Sequence, residues 1–466
     1  MSDNKPSLLR DQTFWGLLVT QFLGAFNDNV FKFLVMFLCT DRAKTNPLDD
    51  WQGYALIAFA SPFVLFSGIS GYLGDRFSKT KVIFVSKVLE IVVMGAGLLV
   101  FWLTEPSKLQ LVMLLGVLFL MGAQSTLFGP AKYGILPELY AKDRLPGING
   151  WFLMTTFVAI IGGVAAAGAL KDALPSLVSV QWICVLIAIV GTLTTLPIRK
   201  LPAAEPHLKV NPSSLFIDPE TRESLRQLPR LFIALIYSSV FWFVGGIFQP
   251  SVNALGKLQY GLSDSATGQL SATTAIGIAI GSVLAGYLSR SCFRASLVRV
   301  AAIGMVICMA ALAIPGEKLS PAAEVLSTPA TAAAEATSSN SASSAAPKSE
   351  IRPARLPYVS LKGSALLLIG AGLFAGLFSV PLQVYIQAMA PEHLKGRMIG
   401  AMNLINWIGI VLSGAFYEIT SKILVRAGFS PNAIFGAIAA VILIAAVTFP
   451  MRDESLESTA PLTTEN

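Results

Sequence analysis

Long apolar runs separated by short polar stretches dominate this chain. They lie near residues 13–40, 51–73, 81–104, 108–138, 145–170 and 178–198, then near 230–255, 265–289, 295–315, 361–390, 396–422 and 432–450. Each run holds few charges and is long enough to cross a bilayer as a helix. In hydrocarbon the backbone must satisfy its own hydrogen bonds, so a helix is the form such a run takes. The pattern predicts an all-α membrane protein with twelve transmembrane helices. Small residues recur inside the runs, among them Gly122, Gly162, Gly163, Gly245, Gly246, Gly277, Gly281, Gly370, Gly372 and Gly376. They predict close approach of neighbouring helices.

Two stretches interrupt the rhythm. Residues 199–229 are polar and contain Pro202, Pro206, Pro212 and Pro219. Residues 316–360 are rich in Ala, Ser, Thr and Pro, and such a stretch has too little apolar surface to fold alone. The expected organisation is a six-helix half over 1–198, a linker over 199–229, and a second six-helix half over 230–450. A disordered loop over 316–360 and a tail over 451–466 complete it.

The two halves are related. Gly71-Tyr72-Leu73 closes the second run and Gly286-Tyr287-Leu288 closes the eighth, an offset of 215 residues. Phe128-Gly129-Pro130 in the fourth run resembles Phe378-Ser379-Val380-Pro381 in the tenth, and matching the prolines gives an offset of 251. The difference, 36, is close to the size of the low-complexity stretch between runs nine and ten. One duplication and one insertion explain both offsets. Tandem six-helix halves are the layout of a secondary transporter, with the substrate site where the halves meet.

Composition narrows this further. The chain is 54% hydrophobic and 13% charged over 466 residues, against about a quarter charged in soluble proteins. Its formal charge of +7 does not form a phosphate-tracking stripe, so nucleic acid is not an expected partner. Lys and Arg instead concentrate in alternate loops: Arg76, Lys79 and Lys81; Lys142 and Arg144; Arg199 through Arg230; Arg290 and Arg294; Lys395 and Arg397. The opposite loops hold fewer, namely Arg42, Lys44, Lys108, Lys171 and Lys257. This asymmetry predicts that both termini are cytoplasmic. Cys39, Cys184, Cys292 and Cys308 lie in or beside apolar runs without paired spacing, and read as small buried hydrophobes. No cofactor or metal is expected, and no nucleophile–base pair points to an enzyme.

The loop Gly71-Tyr72-Leu73-Gly74-Asp75-Arg76-Phe77-Ser78-Lys79-Thr80-Lys81 resembles the signature of the major facilitator superfamily between its second and third helices. Gly71, Leu73, Asp75 and Arg76 match, and Ser78 replaces a usual glycine. The resemblance implies the major facilitator fold, two pseudo-symmetric six-helix bundles, with Gly71, Asp75, Arg76 and Lys79 in conformational gating. Two further segments, Gln21 through Asn29 and Phe128 through Glu138, resemble the bacterial lysophospholipid transporter branch, as does Val380-Pro381-Leu382-Gln383 with Gln387. That module also occurs fused to acyltransferase and acyl-carrier-protein synthetase domains. The branch implies movement of lysophospholipids across the bacterial inner membrane, for re-acylation by a separate acyltransferase. A proton-linked carrier of a small soluble solute, such as a drug or peptide, shares the fold and stays open.

The resemblance also implies that helices one, four, seven and ten line the central cavity. Asp28 lies midway along the first. A carboxylate there is costly unless paired or hydrated, so it is a candidate for binding a headgroup ammonium or for proton coupling, against a structural contact. Lys32, one turn later, either neutralises Asp28 or reaches the interface. Lys132 either meets a lipid phosphate or pairs with Glu138. Gln249, Gln383 and Gln387 are the expected uncharged partners in the second half. The seventh helix has no charge in its core, and Gln249 stands near the place where the branch leads one to expect a basic residue. Lys87 and Glu90 are spaced to pair with each other.

Overall fold

The computed structural model describes residues 8–141, 144–207, 217, 219–289, 292–315, 359–391 and 394–455. Residues 316–358 of the expected loop and 456–466 of the expected tail lie outside them. The first half contains α1 (Gln12–Thr45), α2 (Gln52–Arg76), α3 (Lys79–Leu103), α4 (Lys108–Gly134), α5 (Leu145–Ala173) and α6 (Leu177–Leu193). The second contains α7 (Pro229–Ala254), α8 (Asp264–Leu288), α9 (Ala295–Ala313), α10 (Leu361–Met389), α11 (Lys395–Arg426) and α12 (Ile434–Thr448). Among the described residues, eleven helices are long and apolar enough to cross a membrane. The remaining one, α6, has 17 residues and spans roughly 26 Å at 1.5 Å per residue, slightly under the hydrocarbon thickness. The chain is a multi-pass membrane protein.

Local chemistry starts the helices where the apolar runs begin. Asp11 accepts the Thr13 N–H at 2.9 Å ahead of α1. Ser107, Ser176, Ser263 and Ser360 do the same for α4, α6, α8 and α10. Each supplies an acceptor to a first-turn N–H that has no carbonyl partner within its helix. Two helices run past their apolar segments. The last turns of α1 contain Asp41, Arg42 and Lys44, and the last turns of α11 extend to Arg426. We call the side where α1 begins and α12 ends the terminal face, and the opposite side the far face.

Packing repeats between the halves. Helix α2 packs on α4 as α8 packs on α10; α1 on α5 as α7 on α11; α3 on α6 as α9 on α12. The halves meet along α5–α8 and α2–α11, which are the same seam under the repeat. At mid-depth Trp407 of α11 stacks on Phe63 of α2 with ring centres 3.7 Å apart, and it packs against the core of the first half.

The α8–α10 contact depends on glycine. A Cβ at Gly277 or Gly281 would land on the Ile369 or Leu373 carbonyl of α10, and one at Gly372 on the Thr274 carbonyl of α8. The obstructing atoms are backbone, so no side-chain rotation relieves them. Gly281→Val is expected to push α8 off α10 and cost about 1–3 kcal/mol or more, read as a lower thermal unfolding midpoint in detergent. Gly245, by contrast, has open space around it and plays no such part.

Candidate functional site

The site lies in the first half, on facing turns of α1 and α4. Asp28 sits at the middle of α1. Ser125 of α4 donates to its Oδ2 at 2.6 Å, while Asp28 Oδ1 is buried without a hydrogen-bond partner among the described residues. Ser125 stands seven residues before Lys132, two helical turns, so both belong to one face of α4. That spacing was the available signal for Ser125, which the sequence reading did not single out.

Lys32 acts on Asp28 through space and does not reach an interface. It is 8% exposed, and its ammonium lies 5.2 Å from the ring centres of both Phe33 and Phe59. It neither contacts Asp28 directly nor extends to an interface. Lys132 is half-buried, with its ammonium 4.6 Å from the Tyr133 ring centre and 5.7 Å from that of Phe128. Its expected alternative partner is taken: Glu138 pairs with Lys79 at 2.6 Å. Both lysines interact electrostatically with Asp28 across a gap that no salt bridge closes. The arrangement is two cations on aromatic faces around one carboxylate with a free oxygen.

Beneath this group lies a buried pair. Lys87 and Glu90 of α3 are each 1% exposed and joined to each other, and Asn27 donates to Glu90 Oε1 at 3.0 Å. Added Cβ atoms at Gly24 and Gly191 would each sit 3.1 Å from the Lys87 ammonium, so glycine leaves it a slot between α1 and α6. Asn27 precedes Asp28, and the pair thereby fixes the turn of α1 that presents Asp28.

The glutamines of the second half are not at one depth. Gln249 is half-buried about 30 Å along α7 from the terminal face, whereas Gln383 lies about 9 Å from the terminal end of α10. Gln383 and the exposed Gln387 share the level of Lys132; Gln249 lies well beyond it. Gln124 is structural, donating to the Ser86 carbonyl at 2.9 Å.

The signature loop binds mainly within its own half. Lys79 bridges Glu138 and Asp75, the latter at 3.7 Å. Arg76 bonds Tyr72 and lies over the Tyr72 and Phe77 rings. The linker is tied to the same loop, with the Glu205 N–H donating to the Asp75 carbonyl at 2.9 Å and Ser78 Oγ to the Leu201 carbonyl at 2.6 Å. Gly71 faces open space.

Comparison with known proteins gives a consistent picture. The profile of the Major Facilitator Superfamily matches residues 7–351. Lysophospholipid transporter LplT of Serratia proteamaculans (strain 568) is 28% identical over 288 residues, covering 59% of this chain and 66% of that protein. LplT of Yersinia pestis (strain Pestoides F) is 28% identical over 291 residues, covering 60% and 64%. The match thus spans just under two thirds of these relatives. The fold is similar to that of the nucleoside transporter NupG, with a TM-score of 0.61 at 14% identity over 95% of this chain and 99% of that one. It is equally similar to a bacterial homologue of the iron transporter ferroportin in an inward-facing state, with a TM-score of 0.61 at 16% identity over 95% and 98%.

Proposed function

The chain belongs to the major facilitator superfamily, and on that premise we propose that it carries lysophospholipids across a bacterial inner membrane by alternating access. One observation supports this reading most. Among the described residues, Lys32 and Lys132 flank Asp28 without an ion-pair partner of their own, within membrane-spanning helices where an unpaired charge is costly. A lysophosphatidylethanolamine headgroup supplies the complementary set. Its phosphate takes the two lysines as point charges, and its ammonium takes the free Oδ1 of Asp28. The relatives named as lysophospholipid transporters share this chemistry class by name.

In this reading Gln383 and Gln387 bind glycerol oxygens at the level of Lys132, and Gln249 contributes nearer the far face. The acyl chain extends towards lipid between the halves. Gly71, Asp75, Arg76 and Lys79 exchange partners as the halves rock. The terminal face, which bears most of the Lys and Arg, is cytoplasmic, and the product is re-acylated there by a separate acyltransferase. The test is flux of labelled lysophosphatidylethanolamine in proteoliposomes containing the purified protein. Flux well above that of empty vesicles is expected, and it should persist when a proton gradient is collapsed. No flux of any lysophospholipid, with uptake of a soluble solute driven by pH instead, would replace this reading by the other.

A further inference from the structure

Contacts divide the surface of α11 into faces. Trp407 and Gly414 face α2: Trp407 stacks on Phe63, and a Cβ at Gly414 would meet the Gly53 carbonyl at 2.7 Å. Gly409 and Ser413 face α7. A Cβ at Gly409 would lie 2.8 Å from the Ser239 carbonyl, and one at Gly246 of α7 would strike Ser413. Ile408, Leu412 and Ile419 are exposed on the outer side, where lipid is met. At about 100° per residue, Asn403 and Asn406 fall on the remaining arc between α2 and α7, which faces the interior. Asn403 is exposed on that arc, so the arc borders the passage between the halves.

Asn406, one turn further in, is 6% exposed. Its Oδ1 is buried and has no hydrogen-bond partner among the described residues, against the rule that buried polar groups are paired. Neighbouring polar groups on the α7 side are satisfied: Ser239 donates to the Ile405 carbonyl at 2.8 Å and Ser413 to the Ile410 carbonyl at 2.6 Å. The next residue, Trp407, ties this turn to the candidate site. Its ring centre lies 6.2 Å from that of Phe59, and Phe59 carries the Lys32 ammonium at 5.2 Å. One aromatic ring thus separates the α11 turn that holds Asn406 from a lysine assigned to the lipid phosphate. The Trp407–Phe63 stack fixes the rotation of α11, and with it the direction of Asn406.

We infer that Asn406 reads the free glycerol hydroxyl of the transported lipid and so determines its preference for lysophospholipids over lipids without that hydroxyl. The inference rests on the lysophospholipid reading and assigns a group that Asp28, the lysines and the glutamines leave unread. A lysophospholipid differs from a diacyl lipid at one position, where a hydroxyl stands in place of an ester. The hydroxyl donates a hydrogen bond and the ester has none to donate. In a 1-acyl lysophospholipid the hydroxyl is on the carbon next to the one bearing the phosphate ester, so its acceptor belongs close to the lysines that hold the phosphate. Oδ1 of Asn406 gains a donor when the hydroxyl arrives and stays stranded when it is missing. A buried polar group left unpaired is what lets a site reject an analogue that lacks one hydroxyl.

The test is displacement of radiolabelled lysophosphatidylethanolamine from the purified protein in detergent by two unlabelled competitors with the same acyl chain. One is 1-acyl lysophosphatidylethanolamine; the other is its 2-deoxy counterpart, in which hydrogen replaces the hydroxyl. The parent is expected to bind the hydroxyl form roughly 10-fold more tightly. Asn406→Leu should lose that preference by binding the hydroxyl form more weakly, while it binds the deoxy form at least as well as the parent does. A purely structural role predicts that both competitors weaken together at an unchanged ratio, and that result overturns the inference. Should Asn406→Leu fail to fold, Asn406→Ala is read in the same way. Equal displacement by the two competitors from the parent overturns the inference without any variant, and leaves the lysophospholipid reading standing. Absence of specific binding of the labelled lipid to the parent overturns both.

Discussion

Asp28→Ala is expected to lower lysophosphatidylethanolamine flux by roughly 10–100-fold and to spare lysophosphatidylglycerol more. The first figure follows from the loss of a hydrogen bond to a charged group in a water-poor site, about 1.5–3 kcal/mol, with tenfold in binding for each ~1.4 kcal/mol. The selectivity follows from the headgroups. Only the ethanolamine lipid brings an ammonium for the free Oδ1, whereas both bring a phosphate for Lys32 and Lys132. Asp28 also accepts from Ser125, so its removal frees one hydroxyl, which is a modest structural change because Ser125 also donates to Gln124 Oε1 at 3.1 Å. A structural role predicts a different result: all substrates would fall together and the unfolding midpoint would drop. Lys132→Gln should give the complementary pattern, reducing both lipids alike, because it acts on the shared phosphate. Equal loss of both lipids in Asp28→Ala at unchanged stability would remove the ammonium assignment.

How much of this was legible in the sequence depends on whether a feature is local or relational. Helix identity is local. Twenty-residue apolar runs admit one spanning form, and the twelve expected runs correspond to α1 through α12. The repeat was legible because Gly71-Tyr72-Leu73 and Pro130 have counterparts at Gly286 and Pro381, and the structure pairs α2 with α4 as it pairs α8 with α10. Lys87–Glu90 was legible because a three-residue spacing on one helix fixes neighbours without reference to other helices. Lys132 was not, since its choice between Glu138 and the cavity depends on Lys79, more than fifty residues earlier, which takes Glu138. Lys171 and Lys257 were counted as charges of outer loops. Lys257 is instead buried and Lys171 half-buried, both paired with Asp41 and Asp264 in contacts that exist only once α1, α5, α7 and α8 have come together. In each case the missing information was which helix faces which.

Lys87→Met is expected to destabilise the protein by about 3–5 kcal/mol, while Lys87→Met/Glu90→Gln recovers most of that loss. Removing the lysine alone leaves the Glu90 carboxyl without its counter-charge in a site 1% exposed, with the Asn27 amide as its remaining named support. An uncompensated buried charge of this kind is where the large penalties of broken ion pairs originate. Replacing both partners removes the charge together with its counter-charge, and a glutamine at position 90 still accepts from Asn27. Methionine fits the slot left by Gly24 and Gly191, being unbranched and similar in length to the lysine stem. The measurement is the thermal midpoint and the yield of monodisperse protein in detergent, for both variants and the parent. Flux then separates two roles of the pair. Because Asn27 adjoins Asp28, a double variant that is stable yet slow with every lysophospholipid would show that the pair positions Asp28 through the α1 turn. A double variant with parental flux would confine the pair to holding α1, α3 and α6 together.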